Sequence, residues 1–342
     1  MTHKKIILIT SMLLGFVWSS QGYSQERLSH EARTAIIEKS TAYLIKHQST
    51  KGDWPTNTYP TVMTALSGLA LLSAGNTPQS GPYASNVEKI VLYLLGAQNS
   101  RGIIAADSGQ EMYSHGYSTL FLSQVYGMSH YDKRIERALR AAVRAIGESQ
   151  SPKGGWNYNY SSTPTSDEGS VTITQVQALR AVYNAGIQVP ETVINKAVDY
   201  VIKSQTEDGS IAYQVGGTNG TAALTAAGMA VLFNAGQYEI TDVHKKGFLF
   251  LDNNLSSLLS NTHFMYTNFY AAQVYKQRSI RAEDQDICNR YFTLIEKTLK
   301  QSMKRDEQGN IYWSDMYTPI YGTAMATLIL AAPLEYLPIF VN

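Results

Sequence analysis

Apolar residues alternate along this chain between two patterns, which together predict a repeat of paired helices. In the first pattern, apolar residues at helical spacing form one face and charged residues the other, as between residues 134 and 146, where four arginines lie opposite an apolar stripe. In the second pattern the helix is apolar around its whole circumference, as in 65–72, 222–232 and 323–330. A helix of the first kind buries one stripe and exposes the rest, whereas the second kind must be buried on all sides.

The alternation predicts an outer ring of amphipathic helices around an inner ring of apolar helices. We expect six inner helices, at about 61–74, 114–126, 170–185, 219–235, 263–276 and 320–332. Six pairs make twelve helices and an all-α (α/α)6 toroid. An open solenoid is the alternative, but the chain has six pairs and no obvious polar capping repeat, which favours a closed ring.

A short motif recurs at a period of about fifty residues, which supports the repeat independently. An aliphatic residue is followed after four positions by Gln, after four more by Gly, and after two more by a bulky apolar residue. The copies contain Gln48, Gly52 and Trp54; Gln98 and Gly102; Gln150, Gly154 and Trp156; and Gln205 and Gly209. A weaker copy contains Arg305, Gly309 and Ile311, and the spacing places a degenerate copy near residue 260. We interpret the motif as a structural turn between repeats, since Gly permits the turn and Gln can satisfy open backbone groups.

The first residues predict export. Two lysines precede a short apolar stretch and then small polar residues, the arrangement of a signal peptide. We therefore expect a signal peptide at 1–25, a single toroid domain at 26–342, and a periplasmic or extracellular location. An uncleaved membrane anchor is the alternative for the first segment, and no later segment is apolar enough to span a membrane.

Charge and cysteine content narrow the classes of partner. The formal net charge is +1 without a basic stripe, which argues against nucleic acid. The lone Cys288 cannot form an internal disulfide or hold zinc alone, so we expect it in the core. We predict neither a metal nor another cofactor.

Two copies of the motif, Leu44–Trp54 and Ile146–Trp156, resemble the QW motifs of squalene and terpenoid cyclases. The alternating hairpins resemble the α/α toroid of those cyclases and of protein prenyltransferase β subunits, the prenyltransferase and squalene oxidase repeat proteins. The stretch from Ser170 to Gln175 is similar to the start of an inner helix in cyclase repeats. The resemblance covers nearly all of 26–342 and implies the toroid fold.

The catalytic motifs of these relatives are missing from the sequence. It has no Asp-x-Asp-Asp run of the kind with which the cyclases protonate an alkene. Asp286 and Cys288 have the spacing of the prenyltransferase zinc ligands, but they fall in an outer helix, and the stretch 315–318 lacks the third ligand, a His. Cys288 also lacks the Gly-Cys-Gly-Glu-Gln context of the thioester toroids. The resemblance therefore implies the fold without an activity.

In a toroid the N-terminal ends of the inner helices converge on one mouth, where candidate site residues should be sought. The weak catalytic candidates are His115, Asp167, Glu168 and Asp315. The ligand-binding candidates are Tyr113, Ser170, Gln175, His263, Tyr266, Tyr317 and Tyr321. Each has a structural alternative, because an acid or Ser can cap a helix and a His can be a hydrogen-bonded structural group.

Three functions remain open. Because the catalytic motifs are missing, our main hypothesis is an exported protein that binds a ligand or partner (a small molecule, a lipid, a glycan or an envelope protein) at the mouth, and two alternatives remain. The chain can be a cyclase- or prenyltransferase-like enzyme acting on a lipid, which needs an aromatic cavity with a buried acid. It can also be an envelope lyase or hydrolase of carbohydrates, which needs two facing carboxylates. Whether the protein is an enzyme is left open.

Overall fold

The computed structural model describes residues 27–106, 109–129 and 132–337, and the predicted signal peptide lies outside them. The described residues form thirteen α-helices and two small β-hairpins. In chain order the helices are α1 (His30–Lys46), α2 (Pro60–Ser73), α3 (Ala84–Gly96), α4 (Glu111–Met128), α5 (Lys133–Glu148), α6 (Gly169–Asn184), α7 (Glu191–Lys203), α8 (Ala222–Asn234), α9 (Asp242–Asn253), α10 (Leu255–Ser260), α11 (Phe264–Arg278), α12 (Gln285–Ser302) and α13 (Pro319–Ala331). The antiparallel hairpins pair β1 (Ile211–Ala212) with β2 (Gly220–Thr221), and β3 (Lys304–Arg305) with β4 (Ile311–Tyr312).

The inner ring consists of α2, α4, α6, α8, α11 and α13. Each of these helices packs against the next, and α13 packs against α2, so the ring is closed. Nearly every residue of α8 and α13 is buried, as their uniformly apolar sequences require. All six predicted inner helices are present, and the predicted all-α toroid is confirmed.

The outer ring consists of the amphipathic helices, of which α5 is the clearest. Its apolar stripe, including Ile135, Leu139 and Ile146, is buried, while Arg140 on the opposite face is exposed. The thirteenth helix arises because the fifth outer helix is broken at Asn254 into α9 and α10. Helix α10 then leads into α11 without a Gln–Gly turn, so no such turn is present at the position of the degenerate copy.

The side chain of the repeated Gln links neighbouring hairpins through hydrogen bonds. The Gln150 side-chain amide donates to the carbonyl of Gly154 (2.9 Å) and to the carbonyl of Val193 in the first turn of α7 (2.8 Å). Gln48, Gln98 and Gln205 make the same two kinds of hydrogen bond. The Trp156 indole N–H donates to the carbonyl of Ile146 (2.8 Å), which fastens the turn to α5. These contacts join each turn to its own outer helix and to the next one.

The motif glycines let the turn approach the next outer helix. Gly154 has φ +103°, and a Cβ there would lie 2.0 Å from the Lys196 carbonyl oxygen. Any other residue would therefore clash as well as adopt a strained backbone. At Gly309 in the sixth copy, φ is +78° but a Cβ would meet nothing within 4 Å, so only the backbone conformation selects Gly.

The sixth copy differs from the sequence pattern in two respects. Arg305 replaces the Gln, and its guanidinium donates to the carbonyl of Gly309 (3.2 Å). The indole that fastens this turn is that of Trp313, which donates to the carbonyl of Leu299 (2.8 Å) and lies two residues beyond Ile311. The β3–β4 hairpin lengthens the turn, which shifts the tryptophan along the sequence.

Three groups of contacts close the outer ring, joining α1 and the residues just before it to α12 and to the β3–β4 hairpin that follows α12. Glu296 of α12 accepts a hydrogen bond from Arg33 of α1 at 2.6 Å, and both side chains are buried. The backbone N–H of Leu28 donates to the same carboxylate (2.7 Å). Nearby, the rings of Tyr43 and Tyr312 stack with centroids 4.8 Å apart. Lys46 pairs with Asp306 at 2.9 Å beside this stack.

Candidate functional site

A cavity of about 380 Å³ opens at the N-terminal ends of the inner helices. All six inner helices, or the segments just before them, contribute to its wall, so the cavity lies on the axis of the ring. The lining residues are Tyr59, Val62, Met63, Gln110, Tyr113, Tyr117, Tyr158, Ser170, Tyr213, Thr221, Ala223, Leu224, Thr262, His263, Tyr266, Asp315, Met316, Tyr317 and Tyr321. Its size suits a ligand of one or two rings or a short lipid chain.

Eight of the lining residues are tyrosines, and most of their hydroxyls are bonded to the protein. The Tyr113 and Ser170 hydroxyls share a hydrogen bond, as do those of Tyr158 and Tyr213. Tyr117 bonds the Tyr270 hydroxyl (3.1 Å). The Tyr59 hydroxyl donates to the Gln110 side-chain oxygen, and the Tyr266 hydroxyl donates to the Ser170 carbonyl. The cavity therefore exposes mainly ring carbon to a ligand.

The hydroxyls of Tyr317 and Tyr321 are the exceptions. Neither makes a hydrogen bond to another part of the described structure, although their rings meet edge to face with centroids 5.2 Å apart. Both lie on the same side of the cavity as Asp315: Tyr317 is in the segment that leads into α13, and Tyr321 is in the first turn of that helix. This side can therefore offer hydrogen bonds to a bound molecule.

Two lining residues have a left-handed backbone. Tyr59 and Gln110, each just before an inner helix, have φ of +52°, a conformation that costs most side chains about 1 kcal/mol or more. They are hydrogen-bonded to each other through the Tyr59 hydroxyl. Backbone strain of this kind clusters at functional sites, and here it fixes two side chains on the cavity wall.

Asp315 is the one carboxylate that lines the cavity among the described residues, and His263 lies on the same wall. Burial raises the pKa of Asp315 above its ordinary value, which outweighs the opposing effects of the Tyr317 backbone N–H (3.1 Å) and of His263. A carboxyl whose protonated form is favoured in this way can donate a hydrogen bond or a proton.

Glu168 lies one layer behind the wall, at the N-cap of α6. Its carboxylate accepts from the backbone N–H groups of Ser170 (2.8 Å) and Val171 (2.6 Å) and from the Ser170 hydroxyl (2.7 Å). Burial raises the pKa of Glu168, although these hydrogen bonds oppose the rise. Because Ser170 also bonds Tyr113, a continuous chain of hydrogen bonds runs from the cavity wall to this buried carboxylate.

Two other predicted candidates make structural contacts away from the cavity. Asp167 is buried, and its carboxylate accepts from the Ser151 hydroxyl (2.6 Å). Gln175 lies in the middle of α6, and its amide donates to the carbonyl of Met112 in α4 (2.8 Å). Neither belongs to the lining, so the structure does not bring them together with Asp315.

His115 is also away from the cavity, fully buried under the turn of the second repeat. Its Nδ1 accepts from the Ile104 backbone N–H (3.0 Å), and its Nε2 faces the Ala142 carbonyl (3.4 Å). At the matching position in four other repeats, a threonine hydroxyl accepts a hydrogen bond from a backbone N–H of the turn. These threonines are Thr64, Thr172, Thr225 and Thr323. Burial lowers the pKa of His115 to about 4, which keeps it neutral. His115 therefore does in this repeat what threonine does in the others.

The remaining candidates line the cavity, namely Tyr113, Ser170, His263, Tyr266, Tyr317 and Tyr321. The sequence reasoning missed Tyr117, Tyr158 and Tyr213. A signal for the last two exists, because each lies two residues after the bulky apolar residue of its repeat. Asp315 has the same position relative to Trp313.

Neither a cluster of metal ligands nor a helix suited to cross a bilayer occurs in the described ranges. Cys288 is buried in α12, and burial raises the pKa of its thiol to about 12. A thiol in this state is a poor nucleophile.

Solved structures with similar folds come from several kinds of enzyme. One is an α-1,6-mannanase of Salegentibacter sp. HEL1_6, a variant inactivated at two adjacent aspartates and solved with α-1,6-mannotriose. It is 8% identical in sequence with a TM-score of 0.65, and the alignment covers 89% of this chain and 99% of that one. A D-mannose isomerase is 11% identical with a TM-score of 0.66, covering 90% and 97%. The type II terpene cyclase MstE of Scytonema is 14% identical with a TM-score of 0.59, covering 89% and 98%. These similarities establish the α/α toroid fold.

No curated protein sequence matches this chain. One family does, the one described as "Domain of unknown function (DUF6288)", and its profile spans residues 33–340. That span includes every inner helix and the whole wall of the cavity. The chain therefore belongs to the DUF6288 family.

Proposed function

We propose that this protein binds a small amphipathic molecule in the axial cavity, with an apolar or aromatic body against the tyrosine rings and a hydroxyl-type head group beside Asp315. The observation that carries the proposal is the state of the tyrosines: six of the eight lining hydroxyls bond the protein, so the wall is mainly carbon. Isoprenoid alcohols and phenolic lipids have this chemistry. Export of the chain remains the expectation from its first residues.

The polar groups of the wall support a neutral head group. The hydroxyls of Tyr317 and Tyr321 and the carboxyl of Asp315 lie together on one side. The described part of the lining contains neither Lys nor Arg, so an anionic head would lack a Lys or Arg partner there. A ligand hydroxyl can accept from the phenols and pair with the Asp315 carboxyl, which suits an alcohol better than a phosphate or carboxylate.

The test is to fill the cavity and measure ligand binding. Ala223 lines the cavity near the start of α8 and is half-buried, so Ala223→Trp adds an indole to the space that a ligand needs. Ala35→Trp is the matched control, because Ala35 is exposed on the outer helix α1. Isothermal titration calorimetry with farnesol as the probe should give binding to wild type and control, and a loss of at least about tenfold in Ala223→Trp.

Two results would count against the proposal. The first is that farnesol and phenolic lipids fail to bind wild type at concentrations where the protein is folded. The second is equal binding by wild type and Ala223→Trp, which would place the ligand elsewhere. Native mass spectrometry of the protein from its own host adds the identity of any molecule that co-purifies.

A second candidate function, acid catalysis on a lipid alkene, is favoured by one observation. Asp315 combines a raised pKa with a cavity wall of aromatic carbon, as protonation of an alkene requires. The carboxyl proton would pass to the alkene, and the cation would then lose a proton or capture water. Incubation with farnesol and product analysis by gas chromatography–mass spectrometry tests this. Product formed by wild type and absent in Asp315→Asn is the expected result.

Carbohydrate hydrolysis has less support. A hydrolase needs two carboxylates facing the substrate, and in the described lining Asp315 has no carboxylate partner. The chain does have an adjacent acidic pair, Asp167 and Glu168, comparable with the adjacent aspartates replaced in the inactive mannanase. However, Asp167 is bonded to Ser151 and Glu168 caps α6, so both carboxylates are already engaged inside the protein.

A further inference from the structure

A second, smaller cavity lies at the opposite end of the ring. It is formed by the C-terminal halves of α4, α6, α8 and α11, with Gln124, Gln177 and Gln273 in its wall. Gln124 is about 16 Å further along α4 than Tyr113 of the axial cavity, at 1.5 Å per residue. Its enclosed part measures about 20 Å³, which is room for one water-sized group, and it opens outward to the surface.

Its wall contains buried hydrogen-bond acceptors that lack donors. The Gln177 amide donates to the Gln273 side-chain oxygen (2.6 Å), and the Gln273 amide donates to the carbonyl of Phe269 (3.1 Å). The side-chain oxygens of Gln124 and Gln177 accept nothing from the described structure, although these residues are only 4% and 0% exposed. A buried acceptor without a donor destabilises the folded protein by about 1–3 kcal/mol. A bound group that donates hydrogen bonds to these oxygens would therefore be stabilised in this cavity.

The rim supplies donors and aromatic surface. Arg180 donates to the Tyr238 hydroxyl (3.0 Å), and its guanidinium lies 5.8 Å from the centre of the Tyr183 ring. No described carboxylate pairs with Arg180. The two tyrosines are 44% (Tyr238) and 60% (Tyr183) exposed, which is high for aromatic side chains on a rigid helical scaffold. Exposed rings beside amides and an unpaired Arg form a surface suited to a molecule with both hydroxyls and apolar faces.

We propose that this cavity is a second binding site, for a neutral polyhydroxy molecule such as a sugar. One ligand hydroxyl enters the enclosed part and donates to the side-chain oxygen of Gln124, and a second hydroxyl donates to that of Gln177. Neighbouring hydroxyls accept from Arg180, and an apolar face of the sugar ring lies on Tyr238. The site is at the C-terminal ends of the inner helices, where the free carbonyls and the helix dipoles disfavour an anion, so we infer a neutral ligand.

The site is independent of the axial cavity, and the experiment separates the two. An array of neutral oligosaccharides, including α-1,6-mannotriose, is screened first, and the strongest sugar is then titrated by calorimetry. Tyr238→Ala should weaken binding about three- to tenfold, as expected for the loss of a stacking ring, whereas Tyr238→Phe should retain most of the affinity. Gln124→Met should also weaken binding, and Ala223→Trp in the axial cavity should leave it unchanged.

The expected result is a neutral sugar whose binding depends on Tyr238 and Gln124. Melting temperatures of the variants show that they are folded, and Tyr238 is exposed, so its replacement leaves the core intact. Three results overturn the proposal: no neutral sugar binds wild type, Ala223→Trp removes the binding while Tyr238→Ala does not, or acetate and phosphate compete with the sugar. The last result would identify an anion site at Arg180.

Discussion

Replacement of His115 by threonine should remove a defined part of the pH dependence of folding. In the folded protein the His115 ring is fully buried between the Ile104 N–H and the Ala142 carbonyl. This burial keeps the ring neutral. Threonine occupies the matching position in other repeats and accepts the same kind of hydrogen bond from the turn, for example Thr172 from the Trp156 N–H. The variant therefore keeps an acceptor at the turn and loses the titrating ring together with the contacts of that ring.

The magnitude follows from the pKa of His115, which burial lowers from 6.5 to about 4. Above pH 6.5 the ring is neutral in both states, so its contribution to stability is fully present. Between pH 6.5 and about 4 the unfolded chain binds a proton that the folded protein excludes, and stability falls. Since each pKa unit is worth 1.36 kcal/mol, the loss over this interval is about 3 kcal/mol.

The assay is urea denaturation of wild type, His115→Thr and His115→Asn between about pH 8 and pH 4. The useful quantity is the difference in the free energy of unfolding between wild type and each variant at each pH, because other titrating groups then cancel. At pH 8 we expect both variants to be less stable than wild type by about 1–3 kcal/mol, from lost packing and the Ala142 hydrogen bond. This difference should shrink or reverse as the pH falls.

A difference that stays constant across this range would refute the reasoning, since the buried ring would then not exclude the proton. Ligand binding is the second readout. Because His115 lies outside the axial cavity, both variants should bind farnesol as wild type does. A selective loss of binding in a folded His115 variant would return this residue to the list of site residues.

Three further outcomes are expected from urea denaturation. Gly154→Ala should cost at least about 3 kcal/mol because of the clash with a neighbouring carbonyl, while Gly309→Ala should cost only about 1 kcal/mol for its backbone conformation; equal costs would contradict the turn geometry. Glu296→Gln should destabilise by about 3 kcal/mol because it leaves Arg33 buried without a carboxylate, and Arg33→Met combined with Glu296→Leu should recover most of the loss. Asp315→Asn should stabilise the protein at neutral pH, because burial raises the pKa of Asp315 and disfavours its charged form. This gain should disappear as the pH falls to 3.8, the ordinary pKa of an aspartate. No gain at neutral pH would argue against burial of the charge.

The fold was accessible from the sequence because each of its two helix types has its own periodicity. A helix apolar on all sides, such as α13, can only be an inner helix, and an amphipathic one such as α5 can only be an outer helix. The repeated Gln and Gly then gave the period. The break between α9 and α10 was not predictable from periodicity, since both halves of the broken helix keep an apolar stripe.

The candidate site was accessible only in part, for a physical reason. Residues at the N-terminal ends of the inner helices, such as Tyr266 and Tyr321, could be assigned to the mouth because the topology places them there. Tyr158 and Tyr213 lie on the turns between helices, where helical periodicity carries no information. The role of His115 depends on a backbone N–H eleven residues earlier, which no side-chain pattern reveals.

Closure of the ring has a consequence for how the protein can unfold. In an open array of hairpins the terminal unit is held through one interface, so it can detach while the others stay folded. Here α13 packs against both α11 and α2, and Glu296 ties α12 to the segment before α1. Detaching any one hairpin therefore breaks two interfaces and exposes two apolar faces. We expect hydrogen exchange of the inner helices to occur through global opening, with similar protection in all six, and not through fraying from either end.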